Sequence, residues 1–352
     1  MDLVSALRGQ AEACASLGSP MYADLLTRAA DDVEAGGPTA SVLAGHEDDP
    51  GPSALALRLA GSVHRLVLER RAGALAAYYP SVGGTFEPEG CWTAFRTLLA
   101  ERPDDVRAWL DRPPQTNEVG RSTGLMGGLL QLAAEHPGLP VRLHEIGSSG
   151  GLNLLADRFR YATAQGSFGP AGSPVVLDGA WEGPVPTHAP WPEVVERRGS
   201  DVMPVDVATT EGRLALTAYV WPDQRERHER LRGALRLAQE HPVRVERRGA
   251  GDFVDRLELA DDAVTVLWHS VMWQYLDAAE QQRVRDRLEV LGAGAGERRP
   301  LAHLFLEPTR RTPDDEHAFW LVLETWPDGG RRFLARSRGH GVPTTWEAGE
   351  PS

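Results

Sequence analysis

Apolar residues recur at helical spacing through the first part of the chain. Residues 21–33 and 54–68 place them three and four positions apart, which is typical of helices that bury one face. Clusters of Gly and Pro at residues 36–38 and 48–52 separate these segments. The pattern therefore predicts a mainly helical N-terminal region over residues 1–135.

After residue 140 the pattern changes to short apolar runs that alternate with helical segments, which is typical of an α/β sheet. The predicted strands cover residues 141–145, 194–201, 242–246, 263–268 and 301–306, and the two arms of a hairpin, 318–325 and 332–336, which flank Pro327-Asp-Gly-Gly330. A helix is predicted over residues 211–241, interrupted at Trp221-Pro-Asp-Gln224, and another over residues 278–291. Residues 161–192, rich in Gly, Pro and Trp, are interpreted as an insertion with a β-hairpin that covers the site.

These elements predict an α/β domain over residues 136–352, with a Rossmann-like sheet of seven mostly parallel strands beneath the helical region. A ligand is expected across the carboxyl edge of this sheet, where the strand order reverses.

Composition narrows the classes of function. The chain has 352 residues, 41% of them hydrophobic and 25% charged, which is ordinary for a globular protein. No apolar run approaches the roughly 20 residues of a membrane helix, and the N-terminus lacks a signal-peptide pattern, so a cytoplasmic location is expected. The net charge of −13 argues against nucleic acid as a partner. No pattern in the sequence predicts an oligomeric state.

The small number of cysteines and the absence of lysine limit the chemistry available to the chain. Cys14 and Cys91 are the only cysteines, and no His-x-x-x-His pair occurs, so no metal site is predicted. All 37 basic residues are arginine. The absence of lysine excludes Schiff-base catalysis, pyridoxal phosphate attachment and a standard P-loop.

The most informative segment is Val141-Arg-Leu-His-Glu-Ile-Gly-Ser-Ser-Gly-Gly-Leu-Asn153. An apolar strand ends in an acid, Glu145, runs into a turn of small residues and continues as an apolar helical segment. Such a turn brings backbone N–H groups and a carboxylate up to a ligand at the carboxyl edge of a parallel sheet. Glycine at positions 147 and 151 lets the backbone approach that ligand closely.

Read as Glu-x-Gly-x-Ser-x-Gly, this turn resembles motif I of the class I S-adenosylmethionine-dependent methyltransferases, in which a glycine usually occupies the position of Ser149. Gly199-Ser-Asp201-Val-Met-Pro204 resembles the family's second strand end, and Gly251-Asp252-Phe253 resembles its element beside the adenine. Trp268-His269-Ser270-Val-Met-Trp273 falls where the fourth strand faces the methyl-transfer site. The resemblance covers residues 141–340.

The resemblance implies S-adenosylmethionine as cofactor and a small molecule as methyl acceptor. The residues that it assigns to cofactor binding are Glu145, Gly147, Ser149, Gly151, Asp201, Asp252, Phe253 and His269. His269 or Glu118 would take a proton if the acceptor is a hydroxyl or an amine. The insertion would account for the long spacing between Glu145 and Asp201.

A polar segment before the first strand concentrates Asn117, Glu118 and Arg121 where the helical region should meet the sheet edge. Because arginine suits carboxylate recognition, Asn117 and Arg121 are predicted to bind substrate, together with Trp221 and Trp273. Residues 1–135 and the insertion are predicted to close the acceptor pocket.

Alternatives stay open at this point. Gly147-x-Ser149-x-Gly151 also matches the nucleophile elbow of α/β-hydrolases, with Ser149 as nucleophile, an aspartate at 201, 206 or 252 as the acid and His340 as the base. Against that interpretation, several strands and an oxyanion loop should precede an elbow. Glu145 could instead cap a helix, and Asp201 and Asp252 could be turn formers.

The whole chain also resembles a bacterial family of uncharacterised proteins, domain of unknown function 2332. That family shares the helical N-terminus, the Glu-Ile-Gly turn and the Trp-Pro-Asp-Gln segment, and it brings no established activity. A third hypothesis is therefore a non-catalytic nucleotide-binding protein on a methyltransferase scaffold.

Overall fold

The chain divides into two units in the computed structural model, which describes residues 2–49, 53–327 and 330–347. The first unit comprises Met1–Thr116 and Thr209–Glu229, and the second comprises Asn117–Ala208 and Arg230–Ser352. The α-helices of the described residues are α1 (Leu3–Ser16), α2 (Pro20–Glu34), α3 (Pro38–Leu43), α4 (Leu55–Leu68), α5 (Pro88–Glu101), α6 (Pro103–Arg107), α7 (Ser122–Glu135), α8 (Thr210–Ala218), α9 (Arg225–Glu240), α10 (Ala250–Val254) and α11 (Ala278–Gly292).

The first unit is helical, and local sequence signals explain where its helices begin. The Asp2 carboxylate accepts a hydrogen bond from the Ser5 backbone N–H at the start of α1, and the Ser19 hydroxyl accepts one from Tyr22 at the start of α2. Proline occupies the first turn of α2, α3, α5 and α6, where its missing N–H costs nothing. The apolar faces of these helices, with residues such as Leu25, Leu59 and Phe95, form one buried core.

The second unit contains the strands. Their bounds are β1 (Val141–Ile146), β2 (Arg160–Thr163), β3 (Gly166–Phe168), β4 (Val176–Asp178), β5 (Trp181–Glu182), β6 (Val194–Asp201), β7 (Arg244–Arg247), β8 (Val264–Ser270), β9 (Leu301–Thr309), β10 (Ala318–Trp326), β11 (Gly330–Ser337) and β12 (Thr344–Trp346). A nine-stranded mixed sheet has the order β5-β12-β11-β10-β9-β8-β1-β6-β7, and a small sheet has the order β3-β2-β4. The five strands β7, β6, β1, β8 and β9 are parallel, and β9 through β12 pair antiparallel.

All seven predicted strands occur in the large sheet, but the sheet has nine strands instead of seven. The two additional strands are β5, from within the insertion, and β12, which pairs with β11. The predicted hairpin is confirmed by the antiparallel pairing of β10 and β11, although Asp328 and Gly329 of its turn lie outside the described residues. The insertion does contain a hairpin, formed by β2 and β3.

Two predicted helices differ in detail. The segment over residues 211–241 forms two helices, α8 and α9, because Pro222 cannot donate a backbone hydrogen bond and interrupts the pattern as expected. The segment after the first strand is a 3-10 helix, Leu152–Arg158, and not an α-helix. Helix α7 falls within the predicted N-terminal region, yet it belongs to the second unit.

Strands β1 and β8 are buried along almost their whole length, as expected for central strands covered on both faces. On one face, α7 packs close to the sheet because Gly128 has no side chain. A Cβ at this position would collide with Leu304. On the other face, Phe253 of α10 and Leu288 of α11 share a core with Ile146. This packing holds the carboxyl ends of β1, β6 and β8 at one edge. Within the described residues, no helix is both long enough and apolar enough to cross a membrane.

Candidate functional site

The turn that follows β1, residues 147–151, is called the edge turn. Gly147, Ser149 and Gly151 all have left-handed backbone angles, with φ of 67°, 53° and 73°. A β-carbon added at Gly147 would lie 2.8 Å from Cγ of Met272. Position 147 therefore requires glycine for both its φ and its close approach to a neighbouring side chain.

Two polar side chains hold the edge turn from outside. The Asp201 carboxylate, at the end of β6, accepts a hydrogen bond from the Ser149 N–H at 2.9 Å and another from the Met203 N–H at 2.8 Å. Oδ1 of Asn117 accepts from the N–H groups of Gly150 and Leu152, each at 3.2 Å. The sheet thus brings three sequence-predicted residues, Asn117, Ser149 and Asp201, to one place. An ionised carboxylate has further acceptor positions, so these two bonds do not exhaust the capacity of Asp201.

Glu145, at the end of β1, is only 2% exposed. Its Oε2 atom has no hydrogen-bond partner among the described residues. Burial and, next, the negative charge of Asp201 raise the pKa of Glu145 well above its ordinary value, and the neighbouring Trp268 and Ser148 side chains offset this only in part. The carboxyl therefore stays protonated well above the pH at which an exposed glutamate ionises, and it can donate a hydrogen bond to a ligand.

Arg121 lies at the same edge of the sheet. Its Nε donates to the Gly339 carbonyl oxygen at 3.0 Å, and its Nη1 donates to the Ser270 carbonyl oxygen, at the end of β8, at 3.3 Å. Its positive charge also lowers the pKa of Glu145 slightly. Glu118 is buried, and its carboxylate accepts from the Gly120 N–H at 3.0 Å.

The segment that follows β8, residues 271–273, carries backbone strain. Val271 has a φ of 50°, which is rare for a β-branched residue, and its N–H donates to Leu306. Asn117 and Ser149, at the same edge, also have left-handed φ. Strained non-glycine residues gather at ligand clamps and active sites, where the surrounding structure determines them.

His269, near the end of β8, is buried and uses both ring nitrogens within the protein. Nδ1 lies 2.8 Å from Oε1 of Glu307, and Nε2 lies 3.0 Å from Nε2 of His303. The predicted substrate residue Trp273 stacks on the His269 ring, with centroids 5.0 Å apart. The role of His269 as a base stays a prediction. Because both ring nitrogens face Glu307 and His303, a proton from a substrate would have to reach His269 through one of these side chains.

The two residues that were predicted to lie beside an adenine have other surroundings. Asp252, in the first turn of α10, is exposed, and its carboxylate accepts from Nη2 of Arg283 at 2.7 Å. Phe253 is buried, with its ring centroid 6.3 Å from that of His144. Their part in cofactor binding stays a prediction.

Trp221, predicted to bind substrate, lies in the core of the first unit, 6.1 Å from Tyr22 between ring centroids. The rest of its motif holds helices together. The Asp223 carboxylate accepts from the Ser19 hydroxyl and the Met21 N–H, and Gln224 donates to the Leu17 carbonyl oxygen. The Trp-Pro-Asp-Gln segment therefore has a structural role within the first unit.

The family whose members are described as "Uncharacterized protein conserved in bacteria (DUF2332)" matches residues 4–346. The chain belongs to this family. No curated protein and no solved structure is similar enough to match it. Membership of the family thus covers both units, but its description names no activity.

In this member of DUF2332, sequence reasoning missed two polar residues on β9, His303 and Glu307. Residues 303, 305 and 307 lie on one face of the strand, and the available signal was the pair of polar residues, four positions apart on that face, inside a buried strand. Among the described residues, no group of three or more His, Cys, Asp or Glu side chains is placed to hold a metal ion.

Proposed function

We propose that this chain is a cytoplasmic S-adenosylmethionine-dependent methyltransferase that acts on a small molecule, with the cofactor at the edge turn. The observation that carries the proposal is the order of the five parallel strands. In chain order they lie as third, second, first, fourth and fifth, which is the order of doubly wound nucleotide-binding sheets. In such Rossmann-like sheets the ligand lies outside the carboxyl ends of the strands, where the order reverses, which here is between β1 and β8.

The residues at this edge suit the polar groups of the proposed cofactor. The Asp201 carboxylate, at the end of the second parallel strand, can accept from ribose hydroxyls beyond the two N–H bonds that it already accepts. Arg121 offers a guanidinium to a carboxylate, and an arginine forms such pairs with two parallel hydrogen bonds. The unpartnered Oε2 of buried Glu145 favours a ligand group that completes its hydrogen bonding. Met272, beside Gly147, is unbranched and can repack around a ligand.

When bound, S-adenosylmethionine supplies a methyl group on a sulfonium, which is an electrophile. The task of the protein is then to align the acceptor with that methyl group and to exclude water. Backbone strain at Ser149 and Val271 fits a preorganised edge of this kind. The buried carboxylate of Glu118 is the proposed proton acceptor for a hydroxyl or amine substrate.

One observation favours the α/β-hydrolase alternative. Ser149 has a left-handed φ of 53°, and a nucleophile elbow also holds its serine on a strained turn. Against it, β1 is the first strand in the described part of the chain, whereas an elbow needs strands and an oxyanion loop before it. The hydrolase is therefore the second candidate.

A calorimetric titration of the folded protein with S-adenosylmethionine and S-adenosylhomocysteine tests the proposal. One binding site per chain is expected. Absence of binding of both nucleotides to folded protein would contradict the proposal. Binding without turnover over a panel of small-molecule acceptors would favour a non-catalytic nucleotide-binding protein instead.

A further inference from the structure

Four titratable side chains form an unbroken row on one face of the large sheet, and this row is called the histidine chain. In order it consists of Glu307, His269, His303 and Glu324. Oε1 of Glu307 lies 2.8 Å from Nδ1 of His269, and Nε2 of His269 lies 3.0 Å from Nε2 of His303. Nδ1 of His303 lies 2.8 Å from Oε2 of Glu324. The first three groups are buried, and the Glu324 side chain is 26% exposed.

The three contacts of the histidine chain fix the number of protons that it holds. Each of the three contacts is a hydrogen bond only if one proton lies between its two heavy atoms. Two ionised carboxylates and two neutral imidazoles carry two such protons in total. If both imidazoles donate through Nδ1 to their glutamates, two nitrogen lone pairs face each other across 3.0 Å in a buried site. The geometry therefore requires one additional proton.

We propose that His269 is a buried imidazolium that donates its Nε2 proton to His303, and that this proton holds residues 271–273 against the edge turn. The inference goes beyond the proposed function and does not depend on it. An imidazolium has no lone pair with which to accept a proton, so under this proposal Glu118 is the base and the residues of the histidine chain are positioning residues.

The surrounding charges place the additional proton on His269. Burial lowers the pKa of His303, and the hydrogen bond that His303 donates to Glu324 offsets this only in part, while the pKa of Glu324 itself is lowered by His303 and by Arg331. Nε of Arg331, on β11, lies 3.8 Å from Oε1 of Glu324, which further disfavours a second positive charge at His303.

The Glu307 end of the histidine chain favours a positive charge on His269. Oε1 of Glu307 accepts from His269 and from the N–H groups of Met272 and Trp273, at 3.0 and 3.2 Å, so it acts as an acceptor throughout. The Trp273 ring stacks on the His269 ring, and Cζ of Arg285, on α11, lies 5.4 Å from the centroid of the Trp273 ring.

The additional proton is linked to the site through residues 271–273. Glu307 fixes the N–H groups of Met272 and Trp273, and the Met272 side chain borders Gly147 of the edge turn. With the additional proton in place, the histidine chain is complete and residues 271–273 are held. When that proton is lost, two nitrogen lone pairs face each other at 3.0 Å, the contact separates, and the segment is released.

Nitrogen NMR of the histidine rings in the full-length protein tests this inference without any cofactor. Three of the four ring nitrogens of His269 and His303 should carry a proton at neutral pH, with His269 protonated on both nitrogens. In a titration from about pH 5 to about pH 10, the backbone amide signals of Met272 and Trp273 should change together with the ring signals.

His303→Gln is the decisive variant, because its amide can donate to Nε2 of His269 without an additional proton. The pH-dependent change at Met272 and Trp273 should disappear in this variant, and it should persist unchanged in His317→Gln, which alters an exposed histidine. A neutral His269 ring at neutral pH would overturn the proposal. So would one equivalent of tightly bound zinc between the two Nε2 atoms, or amide signals that do not follow the rings.

Discussion

His64 of the first unit and Glu145 of the second are both buried titratable side chains, but they differ in their hydrogen bonding. In the first unit, His64 is 0% exposed, its Nδ1 donates to the Ala218 carbonyl oxygen at 3.0 Å, and its Nε2 accepts from the Ser81 hydroxyl at 2.8 Å. Burial lowers the pKa of His64 to about 3, so it is neutral. In the second unit, Glu145 is equally buried, but its Oε2 has no partner among the described residues. The hydrogen bonding of His64 is therefore complete within the core. Glu145 has an unsatisfied oxygen, for which a ligand can supply the missing hydrogen-bond partner.

The same difference separates two short motifs from which site residues are predicted. The Trp-Pro-Asp-Gln segment uses Asp223 and Gln224 to join helices of the first unit, with ordinary backbone around them. The edge turn combines left-handed φ, small residues and an unpartnered acid nearby. The Trp-Pro-Asp-Gln segment has neither left-handed backbone nor an unsatisfied buried side-chain atom, which separates it from the edge turn and its neighbouring acid.

The largest effect is expected from Gly147→Val. A valine there has an unfavourable φ and collides with Met272, whereas Gly138→Val has a similar φ with no atom within 4 Å of the new Cβ. The collision should lower the free energy of unfolding by about 1–3 kcal/mol more than the control does. Nucleotide binding should be lost only in Gly147→Val. Denaturant unfolding and calorimetry measure both effects, and equal behaviour of the two variants would contradict the role of the edge turn.

Arg121→Ala should weaken binding of the cofactor or of an acidic acceptor by about 1.5–3 kcal/mol, since a charge-assisted pair would be lost. The corresponding dissociation constant should rise roughly tenfold or more. Arg121→Lys keeps the charge but not the planar fork, and it should recover part of the affinity. Titrations that give the same affinity for all three proteins would remove Arg121 from the site.

Glu145→Gln tests the comparison through pH. Because the folded-state pKa of Glu145 is raised, the folded protein keeps a proton that the unfolded chain releases once the pH exceeds the ordinary glutamate value. Stability should therefore fall as the pH rises toward the folded-state pKa, by about 1.4 kcal/mol per pH unit for one proton.

The glutamine variant should lack this decline, so that its stability relative to the natural protein grows with pH. Unfolding curves over a pH series measure it, with Glu297→Gln, an exposed acid, as the matched control. Parallel curves for the natural protein and Glu145→Gln would show that Glu145 ionises normally.

Ser149→Ala should have the smallest effect, because a methyltransferase needs only a small residue at that turn. We expect a change below about 1 kcal/mol in unfolding free energy and little change in nucleotide affinity. An elbow hydrolase would instead lose essentially all its activity. Labelling of Ser149 by a fluorophosphonate probe would favour the hydrolase over the methyltransferase.

Periodicity predicted the long strands and the helical first unit because these elements bury extended apolar faces. It missed β5 and β12, which are only two and three residues long. It also assigned α7 to the N-terminal region, although this helix is buried on nearly all sides against the sheet.

Contacts that depend on sheet register were not predictable. His269 lies opposite Phe305 in the pairing of β8 with β9, and this register brings His303 and Glu307 within reach of its ring. By contrast, Asp201 and Asn117 do lie beside the edge turn, because the carboxyl ends of parallel strands meet at one edge.

A crystal structure of the protein grown with S-adenosylhomocysteine tests the central claim most directly. The account predicts the ligand over the edge turn, with its ribose hydroxyls on Asp201 and its carboxylate within reach of Arg121. An ordered ligand bound away from the carboxyl ends of β1, β6 and β8 would contradict it.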